Sequence, residues 1–253
     1  MRLLDAASAD LDDLELARLY AYPDAGPGWL RANMVASADG AGFLEGRSAG
    51  LSSEADRRLF GVLRAVSDVV LVGAGTARTE GYRPARRRAE LAGLRAGRTA
   101  TPPVALVSRS LDLDLSVPLF AGAPPDARTI VITCAAAPAD RLAALARVAD
   151  VIVAGEAAVD LARALAALRE RGLSRVICEG GPRLLGDIAA AGLLDELCLT
   201  VSPLLAGPGA TRITAGEGFP ARQLTLAQVL TDEGFLFCRY LAGRQGIPNG
   251  PRA

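Results

Sequence analysis

The chain has 253 residues, 51% of them hydrophobic, and its 28 basic residues balance 28 acidic ones. A formal net charge of zero gives no general attraction to nucleic acid or to an anionic membrane, and we expect neither as a partner. All the basic residues are arginine and histidine is absent, which excludes histidine-based catalytic triads, HExxH zinc sites, Schiff-base lysines and the P-loop lysine. Acid–base chemistry therefore falls to Asp, Glu, Tyr or Cys.

The sequence carries no pattern typical of export or membrane insertion. The chain opens without a charged segment followed by an apolar run, and no apolar stretch reaches about 20 residues. We therefore expect no signal peptide, no transmembrane helix and a cytoplasmic location. Each of the four cysteines lies in or beside an apolar run, and none forms a CxxC pair. This usage is typical of buried free thiols in a reducing compartment, so we also expect no metal site.

The first part of the chain is predicted to contribute two strands and two helices. In chain order we expect a short helix at residues 11–19, a strand at 30–37, a helix from the N-cap candidates Ser52 and Ser53 through Val66, and a strand at 68–72. The second helix is indicated by apolar residues at spacings of three and four. Residues 78–103 are rich in Arg, Gly and Pro, and we expect a solvated loop and helix face there, with an anion site as the alternative.

The rest of the chain alternates strands with helices. We expect, in order, strands at 104–107 and 129–133, a helix opened by Pro138, a strand at 151–153, a helix at 159–171, a strand at 175–178, a helix that ends at Ala191, and a strand at 196–201. Residues 223–241 predict a β-hairpin. Such alternation favours a mostly parallel sheet covered by helices on both faces.

We expect one domain over residues 1–253. Its core is predicted at residues 29–241, with a peripheral segment at 1–28 and a disordered tail at 244–253.

Three loops have the composition of a ligand site, because ligands bind at the carboxyl ends of parallel strands. They are Ser-Ala-Asp-Gly at 37–40, Gly-Ala-Gly-Thr at 73–76 and Glu-Gly-Gly-Pro at 179–182. Glycine lets the backbone approach a phosphate closely, and a helix start attracts anions, so the two glycine turns indicate a bound nucleotide. Glu179 follows an apolar strand, where burying a carboxylate without a function is costly. Taken singly, each turn also fits an ordinary strand-to-helix connection.

Three segments together resemble a known family. They are RANMVASADG (31–40), SSEADRRLFGVLRAVSDVVLVGAGTAR (52–78) and VICEGGPRLLGDIAAAGLLDELCLTVSPLLAG (176–207). They are similar to the C-terminal reductase domain of the bifunctional riboflavin deaminase/reductase and to the stand-alone pyrimidine reductases of that family, over about residues 29–241. The resemblance implies a dihydrofolate-reductase-like fold, here a three-layer α/β/α sandwich whose mostly parallel sheet ends in a C-terminal antiparallel β-hairpin.

The resemblance also implies a function. The family reduces the ribosylamino group of 5-amino-6-(5-phosphoribosylamino)uracil to a ribitylamino group in riboflavin biosynthesis, with NADPH as cofactor and usually as a homodimer. By resemblance, Asp39 is the catalytic aspartate and Glu179 a second acidic residue near the reacting centre. A carboxyl whose pKa is raised in a partly apolar cleft is sufficient to handle the proton.

The resemblance and the loop positions assign residues to the cofactor. Those expected to hold NADPH are Gly73, Ala74, Gly75, Thr76, Ser108, Arg109, Gly180, Gly181, Leu184 and Leu185. Arg109 suits the 2′-phosphate because arginine pairs with phosphate through two hydrogen bonds. An ordinary strand-end loop is the alternative at Ser108 and Arg109.

The substrate side departs from the family at one position. Asn33 stands where many members have a lysine, six residues before the aspartate. The residues expected on the substrate are Asn33, Ser37, Arg57, Arg58 and Arg83, with the three arginines as candidates for the missing cation. Two alternative functions stay open: a reductase of the same fold that acts on dihydrofolate or another pterin, and a non-catalytic NADPH-binding module. A fused deaminase is excluded because its zinc-ligand motifs are absent.

Overall fold

Nine strands pair into one sheet in the computed structural model of the chain, which describes residues 10–23, 26 and 28–243. The strands are β1 (Trp29–Ser37), β2 (Val69–Gly73), β3 (Val104–Val107), β4 (Ile130–Thr133), β5 (Asp150–Val153), β6 (Arg175–Cys178), β7 (Glu196–Ser202), β8 (Leu224–Asp232) and β9 (Phe235–Ala242). Their order across the sheet is β5-β4-β3-β2-β6-β1-β7-β9-β8. Strands β1 to β7 run parallel, and β9 is antiparallel to both of its neighbours. The mostly parallel sheet and the C-terminal hairpin are therefore confirmed.

Seven α-helices connect these strands within the described ranges. They are α1 (Asp13–Leu19), α2 (Glu54–Val66), α3 (Ala74–Thr79), α4 (Pro118–Ala121), α5 (Ala139–Leu145), α6 (Leu161–Glu170) and α7 (Pro182–Ala190). Helices α3 and α4 are additional to the sequence prediction, because one or two turns are too short to produce a visible apolar period. Among the helices that the structure describes, none has the length and apolar character needed to cross a membrane.

Helices cover both faces of the sheet. In β2, Val70 and Val72 pack into the core beneath α2, α3, α4 and α5, whereas Val69 and Leu71 pack beneath α6 and α7. This alternation follows from the period of two along a strand, and a strand buried on both faces appears as a continuous apolar run. The three-layer α/β/α arrangement expected from the resemblance is confirmed.

Helix α2 begins as its sequence predicts. The Ser53 hydroxyl oxygen accepts a hydrogen bond from the Asp56 backbone N–H at 3.1 Å, which makes Ser53 the N-cap. The apolar stripe that includes Leu59 and Leu63 is buried against the sheet. The remaining surface of the helix, which carries Arg57, Phe60 and Arg64, is not part of this apolar contact with the sheet.

The N-terminal segment is not peripheral in its described part, which corrects the sequence prediction. Tyr20 and Tyr22 are 1% and 6% exposed, and their rings lie 5.9 and 4.1 Å from the guanidinium carbon of Arg31. Arg31 is itself fully buried and pairs with Glu196 at 2.8 Å. The two tyrosines thus cover a buried ion pair in the sheet. No local sequence pattern in residues 10–23 predicts this contact. The predicted disordered tail at 244–253 lies outside the described residues.

The loop between β7 and β8, residues 203–223, is fastened to the sheet edge by backbone hydrogen bonds. The Ala38 N–H donates to the Leu204 carbonyl at 2.9 Å, and the Gly42 N–H donates to the Thr211 carbonyl at 2.7 Å. Farther on, the Ala215 N–H donates to the Pro182 carbonyl at 3.0 Å, at the start of α7. The loop therefore runs from the end of β1 to the glycine turn that follows β6.

Candidate active site

The three loops singled out in the sequence follow three neighbouring strands. Strand β6 lies between β2 and β1, and its last residue, Cys178, pairs with Leu71 on one side and Ala32 on the other. Parallel strands place their carboxyl ends at one edge, so the ends of β1, β2 and β6 meet there. By this register Glu179 comes level with Asn33, while β1 runs on for four more residues to Ser37, about 13 Å farther at about 3.3 Å per residue.

A cleft of about 660 Å³ opens at this edge. One wall is helix α2, through Arg57, Phe60 and Arg64, and the facing wall is the segment 80–88. Asn33 contributes from β1, and Glu179 with Gly181 from the turn after β6. The volume lies within the range of small-molecule sites, about 300–1,000 Å³.

Glu179 is held by two partners inside the cleft. Its Oε1 accepts a hydrogen bond from Arg64 Nε at 2.7 Å, and its Oε2 accepts one from Arg64 Nη2 at 2.6 Å. The Tyr82 hydroxyl donates to the same Oε2 at 2.7 Å. The Glu179 side chain is only 2% exposed, so this paired geometry satisfies a carboxylate that is removed from water.

The electrostatics of the cluster keep Arg64 and Tyr82 each in one protonation state. Burial alone lowers the pKa of Arg64, but the Glu179 carboxylate outweighs this and raises it. Burial, followed by the neighbouring Glu179 charge, raises the pKa of Tyr82 well above its usual value. Arg64 therefore stays cationic and Tyr82 stays a neutral phenol at neutral pH. The Arg64 guanidinium also lies 4.3 Å from the centre of the Phe60 ring.

Asp39 is not among the residues that line this cleft. Its carboxylate accepts hydrogen bonds from the Ser37 hydroxyl and from the backbone N–H groups of Ala206 and Gly207, at 3.0 and 2.9 Å for the latter two. These contacts, the Ser37 hydroxyl foremost, lower the pKa of Asp39 to about 2. A raised pKa was expected for a proton-handling carboxyl, and for Asp39 that expectation is wrong because three donors stabilise its charge. Asp39 anchors the 203–223 loop.

The predicted substrate arginines separate into two groups. Arg57 and Arg83 line the cleft, together with Arg86, which the sequence prediction did not include. Within the ranges that the structure describes, the side chains of these three form no hydrogen bond or ion pair. Arg58 instead donates to Asp13 at 2.6 Å and to the Leu11 carbonyl at 2.6 Å, outside the cleft. Ser37 is also outside the cleft, bound to Asp39 and to the Ala41 N–H.

The two glycine turns touch each other. The Gly73 N–H donates to the Gly180 carbonyl at 2.8 Å, and a Cβ on Gly181 would lie 2.1 Å from the Thr76 hydroxyl oxygen. Gly181 is therefore glycine because Thr76 occupies the space of a side chain. Gly75 is different: a Cβ there meets no protein atom within 4 Å, and its φ is in the ordinary range. No packing contact within the protein therefore requires a glycine at position 75.

The contact between the turns brings two helix starts together. Gly73 is the N-cap of α3 and Gly181 the N-cap of α7. The first N–H groups of each helix lack intrahelical acceptors, so the pair forms a region that favours an anion. Leu184 and Leu185, predicted to hold the cofactor, have buried side chains in the core beneath α7, which leaves only their backbone for a ligand.

Ser108 and Arg109 follow β3, the strand next to β2. The Ser108 hydroxyl oxygen accepts a hydrogen bond from the Leu111 N–H at 3.1 Å and is buried, while Arg109 is exposed. Ser108 therefore has a structural partner of its own, and Arg109 is the side chain that can reach a ligand.

Arg64, Phe60 and Tyr82 are among the residues of the cleft that the sequence prediction did not include. A signal for the first two was present, because Arg57, Phe60 and Arg64 recur at helical spacing on the surface of α2 opposite its apolar stripe. No sequence pattern identifies Tyr82, whose position depends on how the chain turns after α3.

Comparison with known proteins identifies the family of the chain. Residues 28–235 match the family described as the RibD C-terminal domain. The chain belongs to this family. It is 34% identical over 191 residues to the 2,5-diamino-6-ribosylamino-4(3H)-pyrimidinone 5′-phosphate reductase of Archaeoglobus fulgidus, a match that covers 74% of this chain and 86% of the relative. The same-named enzyme of Methanothermobacter thermautotrophicus is 31% identical over 172 residues, or 68% of this chain and 76% of the relative.

A solved structure is similar over nearly the whole chain. The pyrimidine reductase-like protein of Corynebacterium diphtheriae is 29% identical, has a TM-score of 0.80, and is matched over 91% of this chain and 99% of its own. The family resemblance stated from the three sequence segments is thereby confirmed, as is the fold class. The RibD-family chain is an oxidoreductase of the pyrimidine reductase type.

Proposed function

We propose that this chain reduces the ribosylamino group of a pyrimidine ribose 5-phosphate to a ribitylamino group, with NADPH as the reductant. The observation that carries the proposal is the cleft itself. A fixed carboxylate, Glu179, lies at its floor beside Arg64, two helix starts border it, and three arginines without partners line it. Such a site has a polar centre for a sugar, an anion region for a cofactor and cations for a phosphate.

NADPH is the proposed cofactor, and the chain's residues fit it. Gly75 is open where a pyrophosphate needs close backbone approach, and the starts of α3 and α7 offer N–H groups beside it. Arg109, exposed after the next strand, is proposed to pair with the 2′-phosphate, which makes NADPH the preferred cofactor over NADH. When bound, the nicotinamide supplies the hydride for the reduction.

The substrate is proposed to lie over Glu179 with its phosphate toward the mouth of the cleft. Arg57, Arg83 and Arg86 supply positive charge without competing carboxylate partners, so they replace the cation that Asn33 does not provide. In the ring-opened imine form of the sugar, the C1′–N double bond is reduced: carbon C1′ accepts the hydride and the attached nitrogen takes one proton from solvent water. Glu179, whose carboxylate oxygens accept hydrogen bonds from Arg64 and Tyr82, is proposed to orient the sugar hydroxyls.

Asp39 is proposed to act indirectly. A carboxyl with a pKa of about 2 is ionised at neutral pH and holds its proton too weakly to act as an acid there. We propose instead that Asp39 shapes the site through the 203–223 loop, which it anchors.

The ring of the substrate is proposed to carry two amino groups. The archaeal relatives are named for the 2,5-diamino-4(3H)-pyrimidinone, whereas the resemblance in the sequence implied the 5-aminouracil. The two rings differ where an amino group replaces an oxo group. We propose the diamino compound because it is the one for which the sequence relatives are named.

A homodimer is proposed through the hairpin face of the sheet. Leu226 and Leu236 are 53% and 37% exposed, and their cross-strand partners Tyr240 and Val201 are half-buried on the same face. Exposed apolar patches of this kind mark interaction sites, and a second copy is the occupant expected from the family resemblance. Light scattering of the wild type is expected to give a mass twice the 26.1 kDa of one chain. The Leu226→Arg variant is expected to give the mass of a single chain. Leu205→Arg, on a loop and 80% exposed, is the matched control.

We propose a cytoplasmic location from the cysteines. Cys134, Cys178, Cys198 and Cys238 are all unpaired and buried, as in proteins of a reducing compartment.

One experiment tests the function. NADPH oxidation by the purified chain is measured with the 2,5-diamino pyrimidinone ribosylamine phosphate, its 5-aminouracil counterpart and dihydrofolate, and repeated with NADH. We expect the highest kcat/KM for the diamino compound and tighter binding of NADPH than NADH. Faster turnover of dihydrofolate contradicts the substrate, and NADPH binding without any turnover contradicts an enzymatic role.

A further inference from the structure

We propose that Tyr82 is a positioning residue of the reductase, whose hydroxyl fixes the Glu179 carboxylate in the orientation that the reaction needs. This inference rests on the proposed function and adds a residue that family resemblance did not supply. It concerns the one neutral donor in the cluster of Arg64, Glu179 and Tyr82.

The first support is the division of contacts on the carboxylate. Oε1 of Glu179 accepts one hydrogen bond, from Arg64 Nε, whereas Oε2 accepts two, from Arg64 Nη2 at 2.6 Å and from the Tyr82 hydroxyl at 2.7 Å. The guanidinium fork fixes the plane of the carboxylate relative to α2. The phenol adds a contact from a different element, so the carboxylate is held from two walls of the cleft rather than one.

The second support is how the backbone delivers Tyr82. Helix α3 ends at Thr79, Gly81 takes the left-handed φ of +65°, and the Tyr82 N–H donates back to the Ala77 carbonyl at 2.9 Å. This is a glycine-terminated helix end, which fixes the direction of the chain that follows. Tyr82 is therefore attached to α3, the short helix whose start borders the proposed pyrophosphate site. The same element reaches the cofactor region at one end and Glu179 at the other.

The third support is the chemistry of the phenol. Tyr82 lines the cleft and its proton is engaged with the Glu179 carboxylate, so it is not available to a substrate. A phenol beside a carboxylate resists ionisation, because the phenolate would face a like charge. Tyr82 is thus unsuited to be the acid of the reaction. Its effect must pass through Glu179, which makes it a positioning residue rather than a catalytic one.

The test removes the hydroxyl and keeps the ring. Tyr82→Phe preserves the packing of the ring, whose centre lies 5.3 Å from the Arg64 guanidinium carbon, and deletes only the bond to Glu179. Tyr22→Phe is the matched control, since Tyr22 is also buried and its hydroxyl bonds Ser67 at 2.9 Å, outside the cleft. Both variants are assayed for thermal stability, NADPH affinity, kcat and KM.

We expect kcat of Tyr82→Phe to fall about tenfold, because a hydrogen bond to a charged group that orients the reacting substrate is lost. KM and NADPH affinity are expected to stay within about twofold of wild type, since those contacts are made by other residues. Tyr22→Phe is expected to keep the kcat of wild type even if its melting temperature falls.

Three outcomes overturn the inference. If the wild type turns over and Tyr82→Phe has the same kcat, the positioning role of Tyr82 is wrong, while the proposed function still stands. A rise in KM without a fall in kcat assigns Tyr82 to substrate binding instead. Absence of pyrimidine reduction by the wild-type chain removes both the proposed function and this inference.

Discussion

Two parallel hydrogen bonds join the guanidinium of Arg64 to the carboxylate of Glu179, with N–O distances of 2.7 and 2.6 Å. The two residues come from different layers of the fold, α2 and the turn after β6, yet they form the floor of one cleft. A planar fork that matches a carboxylate cannot be reproduced by a lysine ammonium.

Arg64→Lys is therefore expected to lower kcat/KM by at least about tenfold, because a single-point donor leaves the Glu179 carboxylate free to tilt. Steady-state kinetics of pyrimidine reduction measure the effect. Arg58→Lys, on the same helix but paired with Asp13 outside the cleft, is the control and is expected to match wild type. Equal losses in the two variants would show that only the stability of α2 was affected.

The arginines that line the cleft are expected to bind the substrate phosphate. Replacing Arg57, Arg83 or Arg86 by Ala should raise KM for the phosphorylated substrate, because a charge-assisted contact is lost, while the Kd for NADPH stays unchanged. At least one of the three is expected to show a rise of about tenfold or more, equivalent to about 1.4 kcal/mol. Arg58→Ala serves as the control. If all four variants keep the wild-type KM, the phosphate binds elsewhere.

A substitution at Gly75 is expected to affect NADPH binding and protein stability in different ways. Gly75→Ala is expected to leave the protein folded and to raise its stability by about 0.5–1 kcal/mol, because alanine is the better helix residue and no protein atom lies within 4 Å of the new methyl group. NADPH affinity is expected to fall, since the methyl group blocks close approach to the backbone. Gly93→Ala, at an equally open glycine outside the cleft, is the control for stability. Unchanged NADPH affinity in the folded Gly75 variant would mean that this turn has no role in cofactor binding.

Asp39 is expected to control the 203–223 loop. Asn offers one acceptor oxygen in place of two, so Asp39→Asn leaves either the Ala206 or the Gly207 N–H without its partner. We expect trypsin to cut faster after Arg212 in this loop, and turnover to fall by at least about tenfold while NADPH affinity changes little. Asp114→Asn is the control, because Asp114 is also exposed and bound to a neighbouring serine but lies outside the loop.

The pH dependence of this anchor has a defined sign. The pKa of Asp39 is lowered to about 2, below that of an aspartate in an unfolded chain, about 3.9. Its contribution to loop anchoring is therefore present at neutral pH and is lost as the pH falls from about 4 toward about 2. Trypsin cannot probe that range, but pepsin can, and cleavage of wild type but not of Asp39→Asn should accelerate there.

The sequence predicted the sheet well because its strands are short apolar runs bounded by turns, as at residues 69–72 and 175–178. It predicted the start of α2 from Ser53, whose side chain makes the capping bond. Glu179 was identified as a site candidate because burying a carboxylate at the end of an apolar strand is costly unless the carboxylate has a function. Local patterns could not predict the partners of Glu179, since Arg64 and Tyr82 reach it from distant parts of the chain.

The same limit explains where residue assignments and geometry diverge. Asn33 lies within β1 and is level with Glu179, whereas Asp39 follows the end of that strand, a difference set by the register of β1 with β6. Arg57 and Arg58 are adjacent in sequence, but a helix turns successive side chains by about 100°, so one faces the cleft and the other faces α1. Sequence alone gave both arginines the same role.

Strand β6 fills the gap between β1 and β2, although it is made long after both of them. During synthesis, β1 and β2 therefore have no partner on their facing edges until residues 175–178 leave the ribosome. Pairing over such long stretches of chain is slow, and open strand edges invite pairing with other chains in the meantime. We expect refolding of this chain to be slow and sensitive to protein concentration. The cleft cannot become competent before this stage, because its floor arrives with Glu179, directly after β6.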